Sequence, residues 1–135
     1  MGFITSKTMH YTTETQEQYT LIKVQEEKLN ANISPELKSV FVSLNNEGVD
    51  SFILDLSEVR YTDSSGLSAI LIANRLCNEK RGALVIVGIS EHVLKLITIS
   101  QLEKILNILP TMEEATDFIM MTALERDLLE GEDNA

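Results

Sequence analysis

Two short apolar runs separated by one long helical pattern set the tightest limit on what this chain can become. Ser51-Phe52-Ile53-Leu54-Asp55-Leu56 is mostly apolar and gives way to polar residues, and Ala83-Leu84-Val85-Ile86-Val87 is wholly apolar between Gly82 and Gly88. Runs of that length without polar alternation read as strands covered on both faces. Between them, Ser64 to Asn78 places Leu67, Ile70, Leu71, Asn74 and Cys77 on one stripe, widened by Ala69, Ile72, Ala73 and Leu76. Such a helix is buried on more than one side. Strand, helix, strand in that order predicts an α/β domain with a mainly parallel or mixed sheet.

The remaining elements extend that plan. Tyr11 to Thr15 and Thr20-Leu21-Ile22-Lys23-Val24 read as an opening β-hairpin across a polar turn, which adds antiparallel pairing. Ser34-Pro35-Glu36 reads as a helix start, with the serine capping and the proline at the first helical position. Leu37, Val40, Phe41 and Leu44 follow at helical spacing, and Asn45-Asn46-Glu47-Gly48 ends the run. Glu79-Lys80-Arg81-Gly82 closes the second helix, and Ser90 caps a short one bearing Val93, Leu94, Leu96 and Ile97. Residues 105–109 suit a short edge strand. Thr111-Met112-Glu113-Glu114 has capping-box spacing ahead of Ala115, Phe118, Ile119 and Thr122. Met112, Met120 and Met121, at helical positions, read as core filler. The expected organisation is a leader over residues 1–8, one domain over 9–124, and an acidic, frayed tail over 125–135.

Composition narrows the function classes. The 135 residues suit one domain, large enough to fold without disulfides or metal. Eleven basic against twenty-one acidic side chains give a net charge of −10, which argues against nucleic acid and against anionic membranes. No apolar run approaches the roughly 18 residues of a membrane span, and no basic, then apolar, leader marks secretion. Met1-Gly2-Phe3-Ile4-Thr5-Ser6 fits the loose N-myristoylation pattern, discounted because bulky Phe3 follows the glycine. A lone cysteine, Cys77, excludes an intrachain disulfide and fits a cytoplasmic setting. For a serine hydrolase, Thr62 stands where the nucleophile turn needs glycine, and His92 is the only downstream histidine. His10, His92 and Cys77 have no metal-ligand spacing, and there is no phosphate-binding glycine loop. The expectation is a binding protein without catalytic residues, metal or cofactor.

One segment carries a specific signal. A buried strand leads through Ser57-Glu58-Val59-Arg60-Tyr61-Thr62 into Asp63-Ser64-Ser65-Gly66-Leu67, the opening of a strongly apolar helix. Hydroxyls and free backbone N–H groups therefore meet at a positive helix end, where a phosphate on either serine is tolerated. Capping alone would also select Asp, Ser and Gly there. Gly66 would leave room for another protein's backbone.

The extended pattern, Leu54-Asp55-Leu56-Ser57, then Val59, then Asp63-Ser64-Ser65-Gly66-Leu67, resembles the signature of the STAS family, the domain of bacterial anti-sigma factor antagonists. The resemblance covers roughly residues 9–124. It implies a single STAS-like domain, with a mixed, mostly parallel sheet of four to five strands and about four helices. It also implies a cytoplasmic regulator that binds an anti-sigma factor serine kinase when unphosphorylated, releases it when phosphorylated, and is restored by a serine phosphatase. The implied acceptor is Ser65, with Ser64 as fallback. Asp63 would cap the helix and orient the hydroxyl, Asp55 would be the strand-end aspartate, and Leu67 would offer apolar contact to the kinase. Ser68 is a tolerable departure from the common pattern; Leu29-Asn30 stands where many relatives have an acid after leucine, which leaves the first binding-loop contacts open. Two other readings stay open: a non-switching STAS subunit of a lipid-transport or stress-signalling complex, and a nucleotide- or small-ligand-binding sensor. Oligomeric state is open too.

Overall fold

A computed structural model describes residues 8–133. In chain order its elements are β1 (Tyr11–Thr15), β2 (Thr20–Val24), β3 (Lys28–Leu29), α1 (Ser34–Asn46), β4 (Phe52–Asp55), β5 (Tyr61–Thr62), α2 (Ser64–Glu79), β6 (Leu84–Val87), α3 (Glu91–Ile99), a 3₁₀ turn (Leu102–Lys104), β7 (Asn107–Ile108) and α4 (Met112–Asp133). The leader and the myristoylation pattern fall almost wholly on residues 1–7, outside the described residues. From Met9 the chain is anchored: its side chain is buried and its backbone N–H donates to Glu36 Oε2 at 2.6 Å.

The five-stranded sheet runs β1-β2-β4-β6-β7, with β1 antiparallel to β2 and every other pairing parallel. Three helical crossovers, through α1, α2 and α3, step the strands in one direction. A single handedness of crossover therefore puts all three helices on one face. Alternation along the strands matches. Ile22, Val24, Phe52, Leu54, Leu84 and Ile86 face a large core with Leu37, Phe41, Ile70, Ala73, Cys77, Val93 and Ile97. Phe41 and Phe52 meet there edge to face, centroids 5.0 Å apart. The residues between, Ile53, Val85 and Val87, face the other way onto a smaller cluster with Ala115 and Ile119 of α4. Cys77 lies in the larger core, where burial pushes its thiol up to about 12 and keeps it protonated.

Several local expectations shift. Ile33, not Ser34, is the N-cap of α1; Ser34 is the first helical residue and its hydroxyl donates to the Asn30 carbonyl at 2.7 Å. Ser90 does cap α3, accepting from Val93 N–H at 3.3 Å. Thr111 accepts from Glu114 N–H at 3.1 Å and bonds the Glu114 carboxylate. The edge strand is shorter than its apolar run, because only Asn107 and Ile108 pair with β6. The acidic stretch expected to fray instead continues α4 to Asp133, and Arg126 within it donates to Asp50 at 3.1 Å. Glu, Leu and Arg are good helix formers, so acidity alone did not end the helix. Nor are Met112, Met120 and Met121 core filler: they are 36%, 54% and 56% exposed. Among the described residues no helix is long and apolar enough to cross a membrane.

Candidate functional site at the start of the second helix

The Asp63-to-Leu67 segment is held by a small second sheet that sequence patterning did not reveal. β3 and β5 pair in parallel, Lys28 opposite Tyr61 and Leu29 opposite Thr62. Arg60 and Tyr61 donate to the Glu27 carbonyl, and Asp63 N–H to the Leu29 carbonyl at 3.2 Å. The Thr62 hydroxyl also donates to Leu29 O, at 3.0 Å. These bonds tie the loop before α2 to the connection before α1, so the two helices start side by side.

Asp63 caps α2 as expected: its Oδ1 accepts from Ser65 N–H at 2.9 Å and Gly66 N–H at 3.2 Å. The same oxygen accepts the Ser65 hydroxyl at 2.5 Å. Ser65 Oγ also lies 3.1 Å from Ser34 Oγ. A hydroxyl has one proton to give. Ser34 directs its own to Asn30 O, so the Ser65 proton points to the carboxylate or to Ser34, and the charged acceptor is the stronger partner. The Ser65 hydroxyl, together with the N–H groups of Gly66, Ser65 and Ala31 and against the opposing effect of burial, holds the Asp63 carboxyl below its ordinary value of 3.8.

That arrangement predicts a measurable acid signature. A carboxylate with a depressed pKa stabilises the fold above its unfolded pKa, and that contribution fades as pH falls through the folded value. Asp63→Ala is expected to cost about 1 kcal/mol at neutral pH, the usual worth of an N-cap. The gap to the parent protein should close below about pH 3.8, in urea titrations run across that range. Equal stability of the two proteins at neutral pH would mean that the cap contributes nothing.

The other candidate residues divide. Ser64 opens α2 exposed, while Ser65 is half-buried on the rim of a shallow cleft of about 350 Å³ lined by Ser34, Pro35, Lys38, Ser65 and Ser68. Gly66 is buried, and the room it leaves is occupied by the chain itself: a Cβ there would collide with Thr62 Oγ1 and come within 2.9 Å of the Leu29 side chain and carbonyl. This departs from the expected opening for a partner's backbone. Leu67 is only 7% exposed and belongs to the core, so it has little apolar surface to offer a partner. Asp55 accepts from Ser57 N–H at 2.8 Å and faces Gly88, which has φ +70°. It shapes the turn after β4 rather than touching the Asp63–Ser65 pair. Ser34 and Lys38 were missed, because nothing in their spacing announces that α1 and α2 begin next to each other. Nearby, Tyr61 is 47% exposed and meets His92 edge-on at 5.1 Å.

The fold has counterparts among known proteins. The family model for the STAS domain matches residues 10–115. An anti-sigma-B factor antagonist of Staphylococcus epidermidis is 30% identical over 81 residues, 60% of this chain and 75% of that protein. Among solved structures, an anti-sigma factor antagonist from Mycobacterium paratuberculosis superposes with a TM-score of 0.71 at 18% identity, covering 87% of this chain and 97% of that one. The Bacillus antagonist SpoIIAA superposes with TM-scores of 0.65 unphosphorylated and 0.64 phosphorylated, at 18% and 20% identity. Each comparison covers 82% of this chain, and 98% and 99% of SpoIIAA respectively.

Proposed function

The chain belongs to the STAS domain family, and from that membership we propose that it is an anti-sigma factor antagonist switched by phosphorylation of Ser65. Unphosphorylated, it binds an anti-sigma factor that is also a serine kinase and so releases the sigma factor for transcription. Phosphorylated, it lets the kinase go, and a serine phosphatase restores it. The protein itself contributes no catalysis in this reading and works in the cytoplasm.

The observation that carries the proposal is the Ser65 hydroxyl itself: reachable on a cleft rim, bonded to Asp63, at the electropositive start of α2. Asp63 fixes the rotamer that an approaching kinase meets. A phosphoryl group then adds roughly −1.5 to −2 charges at neutral pH. The dipole and N–H groups of α2 favour that charge, whereas the Asp63 carboxylate opposes it. The new phosphate must therefore swing away from Asp63 and outward, into the surface a partner would cover.

The test is incubation with ATP and the serine kinase encoded nearest to this protein's gene, read by intact mass. One added phosphoryl group is expected, retained in Ser64→Ala and lost in Ser65→Ala. The reverse pattern would move the site to Ser64. No labelling of either serine would leave a non-switching STAS subunit.

A further inference from the structure

Helix α4 has two apolar faces, and the domain uses one of them. Ala115 and Ile119 are buried against Ile53, Val85 and Val87. On the same side, Thr122, Ala123 and Arg126 remain half-buried. On the other side Met120, Met121, Leu124 and Leu128 are 54, 56, 52 and 61% exposed. At roughly 100° per residue these four cover about 100° of the helix circumference, centred opposite Ala115 and Ile119. Asp127 borders this stripe on one edge and Glu125 on the other. The origin is the helix's own periodicity: Ala115 and Ile119 turn one side of α4 onto the sheet, and the four apolar residues fall on the side turned away from it.

A face that met only water would not need four large apolar side chains, and an apolar patch rimmed by charge marks an interaction surface. Charge selects the occupant. α4 carries eight carboxylates and one cation, Arg126, which already bonds Asp50. A second copy of the chain would set acidic flanks against acidic flanks in either orientation, and an anionic lipid surface would be repelled in the same way. We propose that the outward face of α4 docks an amphipathic helix of a partner protein, one with an apolar stripe flanked by Lys and Arg. The surface lies on the opposite side of the sheet from α2, so this contact is separate from the Ser65 site.

The test uses the full chain and a labelled synthetic Leu/Lys amphipathic helix, followed by fluorescence anisotropy at physiological salt, against a scrambled peptide of identical composition. The amphipathic peptide is expected to bind about tenfold tighter or better. Leu124→Ser/Leu128→Ser should erase that preference while leaving circular dichroism and melting unchanged, and Met120→Ser/Met121→Ser should do the same. Equal binding of both peptides would reduce the effect to net charge and overturn the proposal, as would a preference that survives both variants. A dimer in sedimentation that dissolves in the variants, or phosphatidylcholine vesicle binding lost in them, would assign the face to self-association or lipid instead.

Discussion

Aspartate in place of Ser65 is expected to weaken the complex with the anti-sigma kinase by about tenfold or more, and a true phosphate by about a hundredfold. The difference follows from charge. A carboxylate brings at most one negative charge, whereas phosphoserine brings roughly 1.5 to 2 with three acceptor oxygens. A like or unpaired charge forced into an interface costs several kcal/mol, and about 3 kcal/mol already lowers affinity roughly a hundredfold. At position 65 the new group also lies beside Asp63, whose carboxylate is committed to the Ser65 and Gly66 N–H groups. Those backbone bonds remain, so far-UV circular dichroism should be unchanged. Calorimetric titration of the kinase with wild type, Ser65→Ala and Ser65→Asp checks the order of affinities. Ser65→Ala should bind as well as wild type. Ser65→Asp binding with full affinity would remove the switch from this hydroxyl.

The parts of this arrangement that were legible in the sequence are those with local causes. β6 was evident from five apolar residues between two glycines, and the start of α2 from an Asp whose side chain reaches the N–H groups two and three residues on. β3 and β5 were not, because Lys28-Leu29 and Tyr61-Thr62 have no alternation to detect; they are strands only because two loops come to lie in register. Ser34 shows the same limit. Its cap propensity was clear, but its hydroxyl ends up beside Ser65 because α1 and α2 start together, a tertiary fact. In α4 apolar residues are visible on more than one face, yet their spacing does not say which face meets the sheet. Met120 and Met121 sit on the face turned away from Ala115 and Ile119 and are exposed for that reason.

Gly66→Ala is expected to lower the melting temperature by roughly 5–15 °C, and the sign of that change is informative. In an open helix the substitution would add up to about 1 kcal/mol of stability by reducing backbone freedom in the unfolded chain. Here the new methyl collides with the Thr62 hydroxyl and presses on Leu29. Overpacking of that kind costs about 1–3 kcal/mol, and losing the Thr62-to-Leu29 hydrogen bond adds about 1 kcal/mol. The penalty exceeds the gain. Gly131, helical with nothing within 4 Å of an added Cβ, is the internal control, and its alanine variant should be neutral or slightly stabilised. Thr62→Ala in the Gly66→Ala background should recover part of the loss, since the shortest contact goes while those to Leu29 stay. A double-mutant cycle by thermal denaturation measures that coupling. Because the same loop presents Ser65, Gly66→Ala should also slow its labelling by the kinase. If Gly66→Ala melted like wild type, the chain's own packing would not require the bare Cα. The reason for glycine at this position would then lie on the partner's side.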